Sequence, residues 1–87
     1  MSMDKPEIKN WVFTPHAVQR TIERNVSIID VQEILEQPDL VKAQGAKFIL
    51  AKKITGRSDN MIACVVLERQ ENDLWIVITV MHNFKEN

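Results

Sequence analysis

The stretch TPHAVQRTIERNVSIIDVQEIL, residues 14–35, decides the fold because it contains two short helices, each with its own start signal. Thr14 is a favourable N-cap, and Pro15 is favoured at the first helical position. The first helix is therefore predicted to run to about Arg24. Asn25 tolerates the left-handed backbone conformation, so it is predicted to end the helix.

A second helix is predicted to begin directly after this stop. Ser27 can cap it, and Asp30 three residues later completes a capping box with Asp in place of the usual Glu. Pro38 is predicted to end the helix. The apolar residues of this segment recur at helical spacing: Ile28, Val31, Ile34 and Leu35.

Four apolar segments follow the helices, and short connections rich in turn residues separate them. The segments are LVKAQ (40–44), KFILAKKI (47–54), MIACVVLER (61–69) and LWIVITVMH (74–82). The connections are Gln44-Gly45, TGRSDN (55–60) and QEND (70–73), which have the length of hairpin loops. The sequence therefore predicts an α+β fold with two N-terminal helices packed on a four-stranded antiparallel sheet.

Length and composition indicate one domain over residues 1–87, with a flexible N-terminus over residues 1–10 and WVF (11–13) as a short extended entry. The last two strands are apolar at nearly every position, so each of their faces needs a cover. The helices can cover one face, and the other needs a partner, a ligand or a second copy of the chain.

Several classes of protein are disfavoured. No apolar run is long enough to cross a membrane, and the polar N-terminus lacks the apolar core of a signal peptide, which indicates a cytoplasmic protein. The single cysteine, Cys64, lies in an apolar run and is predicted to be buried. Neither a metal site nor a cofactor is expected, because paired cysteines and glycine-rich phosphate loops are missing from the sequence. Trp11 and Trp75 are expected in the core.

Charge is separated along the chain although the net charge is only −1. Five acids and one base lie between residues 23 and 39, whereas five bases and no acid lie between residues 40 and 58. The basic segment either protects a strand edge from aggregation or positions the phosphates of RNA. The residues concerned are Lys47, Lys52, Lys53 and Arg57.

One side of the first helix carries four side chains that are suited to acid–base chemistry or to anion binding. At about 100° per residue, they fall within an arc of about 100°. They are His16, Arg20, Glu23 and Arg24. The opposite side carries Ala17, Val18, Thr21 and Ile22, so the helix is predicted to be amphipathic.

Two interpretations of this charged helix side remain open. It can be a solvated or structural network, in which Glu23 pairs with an arginine and contributes a few tenths of a kcal/mol. It can also be a metal-free site for RNA cleavage. His16 lies in the first turn, where the helix dipole favours the neutral imidazole that can accept a proton. Arg20 and Arg24 offer the forked contacts that suit a phosphate.

Two residues of the last strand are further candidates. Thr79 either satisfies a neighbouring group or faces the same site as His16. His82 is either a surface histidine or the second member of an acid/base pair with His16.

The residues FTPHAVQRTIERNVSIIDVQEIL (13–35) and VITVMH (77–82) resemble a family of small bacterial domains catalogued as being of unknown function. The family pattern is an aromatic-Thr-x-His start, then Arg, then Glu-Arg, then a second helix and a closing strand. Thr21 and Asn25 stand where the family usually has Met and Gly. The family pattern maps onto His16, Arg20, Glu23, Arg24 and Thr79.

The predicted order of elements is also similar to the layout of RelE, ParE and BrnT-type toxins and of barnase- and colicin-like tRNases. Together, residues and resemblance predict a toxin-like, metal-independent endoribonuclease acting on tRNA or mRNA. His16 would be the general acid/base, Arg20 and Arg24 would hold the phosphate, and Glu23 would orient one of them. An antitoxin or immunity protein would neutralise the enzyme.

The alternative is a non-enzymatic interaction or homodimerisation module. In that case the charged side of the first helix would be structural. The near-neutral charge of the chain favours this alternative, because proteins that bind nucleic acids in general are usually basic.

Overall fold

The computed structural model describes residues 5–69 and 73–85, which form two helices and five strands. In chain order these are β1 (Asn10–Phe13), α1 (Pro15–Glu23), α2 (Ile28–Glu36), β2 (Leu40–Gln44), β3 (Lys47–Lys52), β4 (Ile62–Arg69) and β5 (Leu74–Met81). The α+β class is confirmed. Within the described residues, neither helix is long or apolar enough to cross a membrane.

Both helices begin at their predicted caps. The Thr14 hydroxyl accepts a hydrogen bond of 3.0 Å from the backbone N–H of Ala17. The capping box of α2 is complete, because Ser27 and Asp30 exchange side-chain to backbone bonds of 3.0 and 3.2 Å. Asn25 follows α1 with a φ of 54°, the left-handed stop predicted from the sequence.

The sheet has five strands in the order β1-β5-β4-β3-β2, so the prediction of four antiparallel strands is wrong. β1 pairs in parallel with β5, with Trp11 opposite Trp75, and the other pairs are antiparallel. The helices therefore follow a strand and lie in the middle of the chain. Local sequence signals could not indicate this parallel pairing, because its two strands are separated by nearly the whole domain.

Where β1 ends, helix α1 and its N-cap supply the hydrogen-bond donors for the edge of β5. The Thr14 N–H donates to the Val77 carbonyl over 3.0 Å, and the Thr14 hydroxyl donates to the Ile78 carbonyl over 2.9 Å. At the other end of the helix, Arg24 Nη1 donates to the Val80 carbonyl. These three bonds satisfy carbonyl oxygens that would otherwise form a free strand edge.

Helix α2 packs on β3 and β4 and closes the main core. Its side chains Val31, Ile34 and Leu35 are almost fully buried, and each contributes about 1.5–3 kcal/mol on burial. Cys64 is fully buried, as predicted, and desolvation raises its thiol pKa to about 12. Trp75 is buried in the same core, and Trp11 packs against it.

The apolar side of α1 faces solvent instead of the core. Only Ala17 is buried, whereas Val18 and Ile22 are 41% and 75% exposed. The bonds from Thr14 and Arg24 to β5 fix the rotation of the helix, and that rotation turns Val18 and Ile22 outward. Ile28 and Ile29 at the start of α2 are exposed as well.

The face of the sheet that points away from the helices, called here the open face, has no second layer among the described residues. The molecule measures 37 × 34 × 20 Å. Its smallest dimension equals the thickness of about 20 Å that one sheet and one layer of helices occupy, which leaves no room for a second layer. The apolar side chains of the open face are Val12, Leu40, Ile49, Ala51, Ala63, Val65, Leu67, Ile76 and Met81.

Two predicted segments lie partly outside the described residues. They are the flexible N-terminus (1–10), of which residues 1–4 are not described, and the QEND turn, of which residues 70–72 are not described. In the described part of the first segment, Ile8 is buried in the core and Asn10 begins β1.

Replacing Thr14 tests the junction between α1 and β5. Thr14→Ala removes the N-cap acceptor and the bond to Ile78, so we expect a loss of about 2 kcal/mol in the free energy of unfolding. Thr14→Ser retains the hydroxyl and is expected to lose less than about 1 kcal/mol. Urea unfolding monitored by circular dichroism measures both variants. Equal stability of the two would contradict this role for the hydroxyl.

Candidate functional site

His16 and Thr79 meet at the exposed end of α1. His16 Nε2 lies 3.2 Å from Thr79 Oγ1, and the direction of the hydrogen bond depends on the tautomer of the ring. The contact arises because α1 follows the edge of β5 on which Thr79 lies. The structure thus brings Thr79 and His16 together, and a shared role of the two residues in a site stays a prediction.

Arg20 and Glu23 form an ion pair on the same side of α1. Arg20 Nη1 lies 2.5 Å from Glu23 Oε1, and Gln19 donates to the other carboxylate oxygen over 3.0 Å. The pKa of Glu23 is held below its ordinary value, first by the bond from Arg20 and then by that from Gln19. Glu23 is therefore ionised near neutral pH and orients the guanidinium of Arg20.

Arg24 points toward the sheet. Its side chain is half-buried, and Nη1 bonds the Val80 carbonyl. The guanidinium therefore fastens the last turn of α1 to β5. The structure thus separates the two arginines that the sequence placed on one helix side, because Arg20 is oriented by a carboxylate and Arg24 by a backbone oxygen.

Arg57, on the loop between β3 and β4, closes the C-terminal end of α1. Its Nη1 donates to the Asn25 carbonyl over 2.7 Å, and its Nη2 donates to the Arg24 carbonyl over 3.0 Å. Its Nε and Nη2 also bond the carboxylate of Asp59 over 2.8–3.2 Å. This fork satisfies helix-terminal carbonyls with a cation, which the helix dipole favours.

The ion pair of Arg57 and Asp59 is the most sheltered of the described ion pairs, with side-chain exposures of 22% and 12%. The bonds from Arg57 hold the pKa of Asp59 below its ordinary value, and the carboxylate of Asp59 raises the pKa of Arg57. Sequence reasoning missed Asp59. The sequence signal for this ion pair was the position of Asp59 two residues after Arg57 in a predicted loop.

His82 lies beside this ion pair. Its Nδ1 is 4.0 Å from Asp59 Oδ2, and its side chain is exposed. A surface depression of about 560 Å³ lies here, lined by Gly56, Arg57, Ser58, Asp59, His82 and Asn83. The described ionic contact of His82 is therefore with Asp59, and its pairing with His16 stays a prediction.

The three lysines predicted to contact RNA lie in different surroundings. Lys52 donates to the Gln37 carbonyl over 2.9 Å and its side chain is only 16% exposed. Lys53 donates to the carbonyls of Arg57 and Asp59. Lys47 is exposed at the start of β3, on the open face. Lys52 points to the helix side of the sheet, so the three do not form one strip.

Across residues 5–69 and 73–85, no group of three or more His, Cys, Asp or Glu side chains could hold a metal ion. The acids described above instead pair with cations of the chain, as Glu23 does with Arg20 and Asp59 does with Arg57.

The chain belongs to a family of domains of unknown function, DUF4258, whose family model matches residues 13–82. The prediction of a domain of unknown function is therefore confirmed, whereas the helix motif, the bacterial origin and the similarity to RelE-type toxins stay predictions. No curated protein and no solved structure matches the chain.

The variant Asp59→Asn tests whether the ion pair of Arg57 and Asp59 stabilises the C-terminal end of α1. The effect of this substitution on stability is expected to depend on pH. The folded-state pKa of Asp59 lies below its unfolded value, so the charge stabilises the fold above the unfolded pKa of about 3.9. This stabilisation is lost as the pH falls through the folded-state pKa. We expect Asp59→Asn to lower the free energy of unfolding by about 1–3 kcal/mol near pH 7, and the difference from wild type to shrink below about pH 4.

Chemical denaturation at a series of pH values measures this difference. Glu36→Gln is the matched control, because Glu36 is an exposed acid on α2. A difference between wild type and Asp59→Asn that does not change with pH would show that the charge of Asp59 is unimportant.

Proposed function

We propose that the protein is a metal-independent endoribonuclease acting on tRNA or mRNA, with His16 as its general acid/base. The observation that carries this proposal is the contact of 3.2 Å between His16 and Thr79 at an exposed position beside Arg20. The hydroxyl fixes the imidazole ring through Nε2. The second ring nitrogen, Nδ1, takes no part in this contact, and because His16 is exposed we expect Nδ1 to be available to an RNA strand.

The reaction is transesterification within the RNA. The imidazole of His16 accepts the proton of a ribose 2′-hydroxyl, and the 2′-oxygen attacks the neighbouring phosphorus. The bond from phosphorus to the 5′-oxygen of the next nucleotide breaks, and the imidazolium returns the proton to that oxygen. The products are a 2′,3′-cyclic phosphate and a 5′-hydroxyl end.

Arg20 is the residue that would stabilise the charge on the phosphorane. Its guanidinium is held by Glu23 and remains partly exposed, so a forked contact with two phosphate oxygens is sterically accessible. Arg24 supports the site through Val80 and can supply a second phosphate contact from its remaining N–H groups. Thr79 positions His16.

The wider RNA contacts follow from the exposure of the cations. Lys47 is exposed and would bind a phosphate away from the scissile bond. Lys52, Lys53 and Arg57 donate to groups of the chain, so they would hold the loops beside the RNA and use their remaining donors for phosphate. His82 would contact RNA at the depression that it lines together with Arg57 and Asp59.

The order of elements supports a toxin-like role, because two helices followed by an antiparallel meander is the layout of RelE, ParE and BrnT-type toxins. Such an enzyme would act in the cytoplasm, and an antitoxin or immunity protein would neutralise it.

A second candidate function is a non-enzymatic interaction or homodimerisation module. It is favoured by the exposed aliphatic side chains of the helices, of which Ile22 and Ile29 are 75% and 74% exposed. In this function the contacts of His16 and Arg20 would be structural.

Incubation with total RNA in the presence of EDTA tests the ribonuclease. Wild type is expected to give discrete fragments with cyclic phosphate ends. We expect His16→Ala to lower the cleavage rate by about 10²–10⁴-fold and Arg20→Ala by at least about 10²-fold. Arg20→Lys keeps the charge but not the fork, so we expect an intermediate loss. Gln32→Ala, on the exposed side of α2, is the control and should cleave like wild type.

RNA that stays intact with folded wild-type protein would refute the ribonuclease and favour the interaction module. Cleavage that all the variants retain would refute the assignment of the site.

A further inference from the structure

The open face carries a distinctive charge pattern at its border. Lys42 lies opposite Ile49, and Lys47 lies opposite Leu67, so both lysines project on the open side of the sheet. Both are exposed. At the strand positions of this face whose side chains the structure describes, each charged residue is a lysine, and Arg69 ends β4 opposite Leu74. The open face is therefore aliphatic in the middle and positive at the edge formed by β2 and β3.

Apolar side chains and lysines also lie next to each other at the other end of the open face. A depression of about 520 Å³ is lined by Lys53, Asn60, Met61, Phe84 and Lys85. Met61 and Phe84 pack with the apolar side chains of the open face, and the Phe84 N–H donates to the Met61 carbonyl over 2.9 Å. Lysines thus flank the aliphatic surface on two sides.

The chemistry of the open face suits a protein better than RNA. Its centre is built from Ile, Val, Leu, Ala and Met side chains, which offer no platform for the stacking of bases. Ile49, Ala51 and Ala63 are buried among their neighbours on this face, so a partner would contact mainly the half-buried side chains around them. Trp11 and Trp75 pack into the core on the opposite face of the sheet. An RNA strand would also leave the aliphatic centre uncovered.

We propose that the open face binds an acidic amphipathic helix of a partner protein. The aliphatic centre takes the apolar side of such a helix, and the lysines pair with carboxylates on its flanks. A helix about 10 Å wide covers two strands spaced about 4.8 Å apart, so it fits along the middle of the sheet. The interface goes beyond the proposed function and does not depend on catalysis.

One consequence of this interface rests on the proposed function. Thr79 lies opposite Val65, which belongs to the centre of the open face. A helix seated over Val65 therefore lies beside the contact between Thr79 and His16 and restricts the access of RNA to it. The partner would then inhibit the enzyme by blocking its site.

NMR titration of the wild-type chain with two designed helical peptides tests the interface. Each peptide has roughly 18 residues with Leu at positions i, i+3, i+4 and i+7. One peptide carries Glu on its other side, and the second carries Lys at the same positions. We expect the Glu peptide to shift the amide signals of β3, β4 and β5, and the Lys peptide to leave them unchanged.

Variants identify the contacts. Lys42→Glu combined with Lys47→Glu is expected to weaken binding of the Glu peptide by at least about tenfold, and Val65→Thr is expected to weaken it as well. Lys5→Glu combined with Lys9→Glu, and separately Val18→Thr, are the matched controls, because they make the same changes at exposed positions outside the open face. The controls should bind like wild type.

Four results would overturn the proposal. The first is no binding of either peptide, the second is equal binding of both, and the third is a set of signal shifts that falls on α1 and α2 and not on the sheet. The fourth is occupancy of the aliphatic centre around Ile49 and Ala63 by a different molecule, either a short 2′-O-methyl RNA or a second copy of the chain in sedimentation analysis. Cleavage of RNA plays no part in these measurements, so a failure of the ribonuclease proposal is detected separately.

Discussion

The carbonyl edge of β5 is the constraint on which the rest of the structure depends. β1 covers this edge only as far as Val77, and α1 must then supply donors to the next carbonyls. Thr14 does so with its backbone and its side chain, and Arg24 does so one helix length later. Because an unpaired buried carbonyl costs about 1–3 kcal/mol, these bonds dictate the position and rotation of α1.

The rotation of α1 has two further effects. It places His16 against Thr79, and it turns the aliphatic side chains Val18 and Ile22 toward solvent. Arg57 secures the C-terminal end of the same helix through two backbone carbonyls. Since α1 is fastened at both ends, the side chains on its exposed side are carried on a rigid element, which is what a precise site requires.

Sequence reasoning succeeded where the signal was local. The caps at Thr14 and Ser27, the stop at Asn25 and the antiparallel meander all follow from short patterns. It failed for β1, because short sequence patterns carry no information about parallel pairing with a strand at the other end of the domain. It also failed for the buried side of α1, where hydrogen bonds to the edge of the sheet outweighed the amphipathic pattern.

The candidate site could be predicted only in part. The helical spacing placed His16, Arg20 and Glu23 together, but the partner of His16 depended on the register between a helix and a strand. Asp59 was missed because its importance comes from the geometry of a loop. The different orientations of Arg20 and Arg24 could not be read from the sequence, since both arginines lie within the same helical arc.

The parallel pairing of β1 with β5 also imposes an order on biosynthesis. His16 is made early and Thr79 is made some sixty residues later, so the nascent chain cannot assemble their contact until β5 has been synthesised. Until then the edge-binding groups of α1 have no strand to bind. A chain whose translation stops before β5 therefore has neither a completed sheet nor a completed contact between His16 and Thr79.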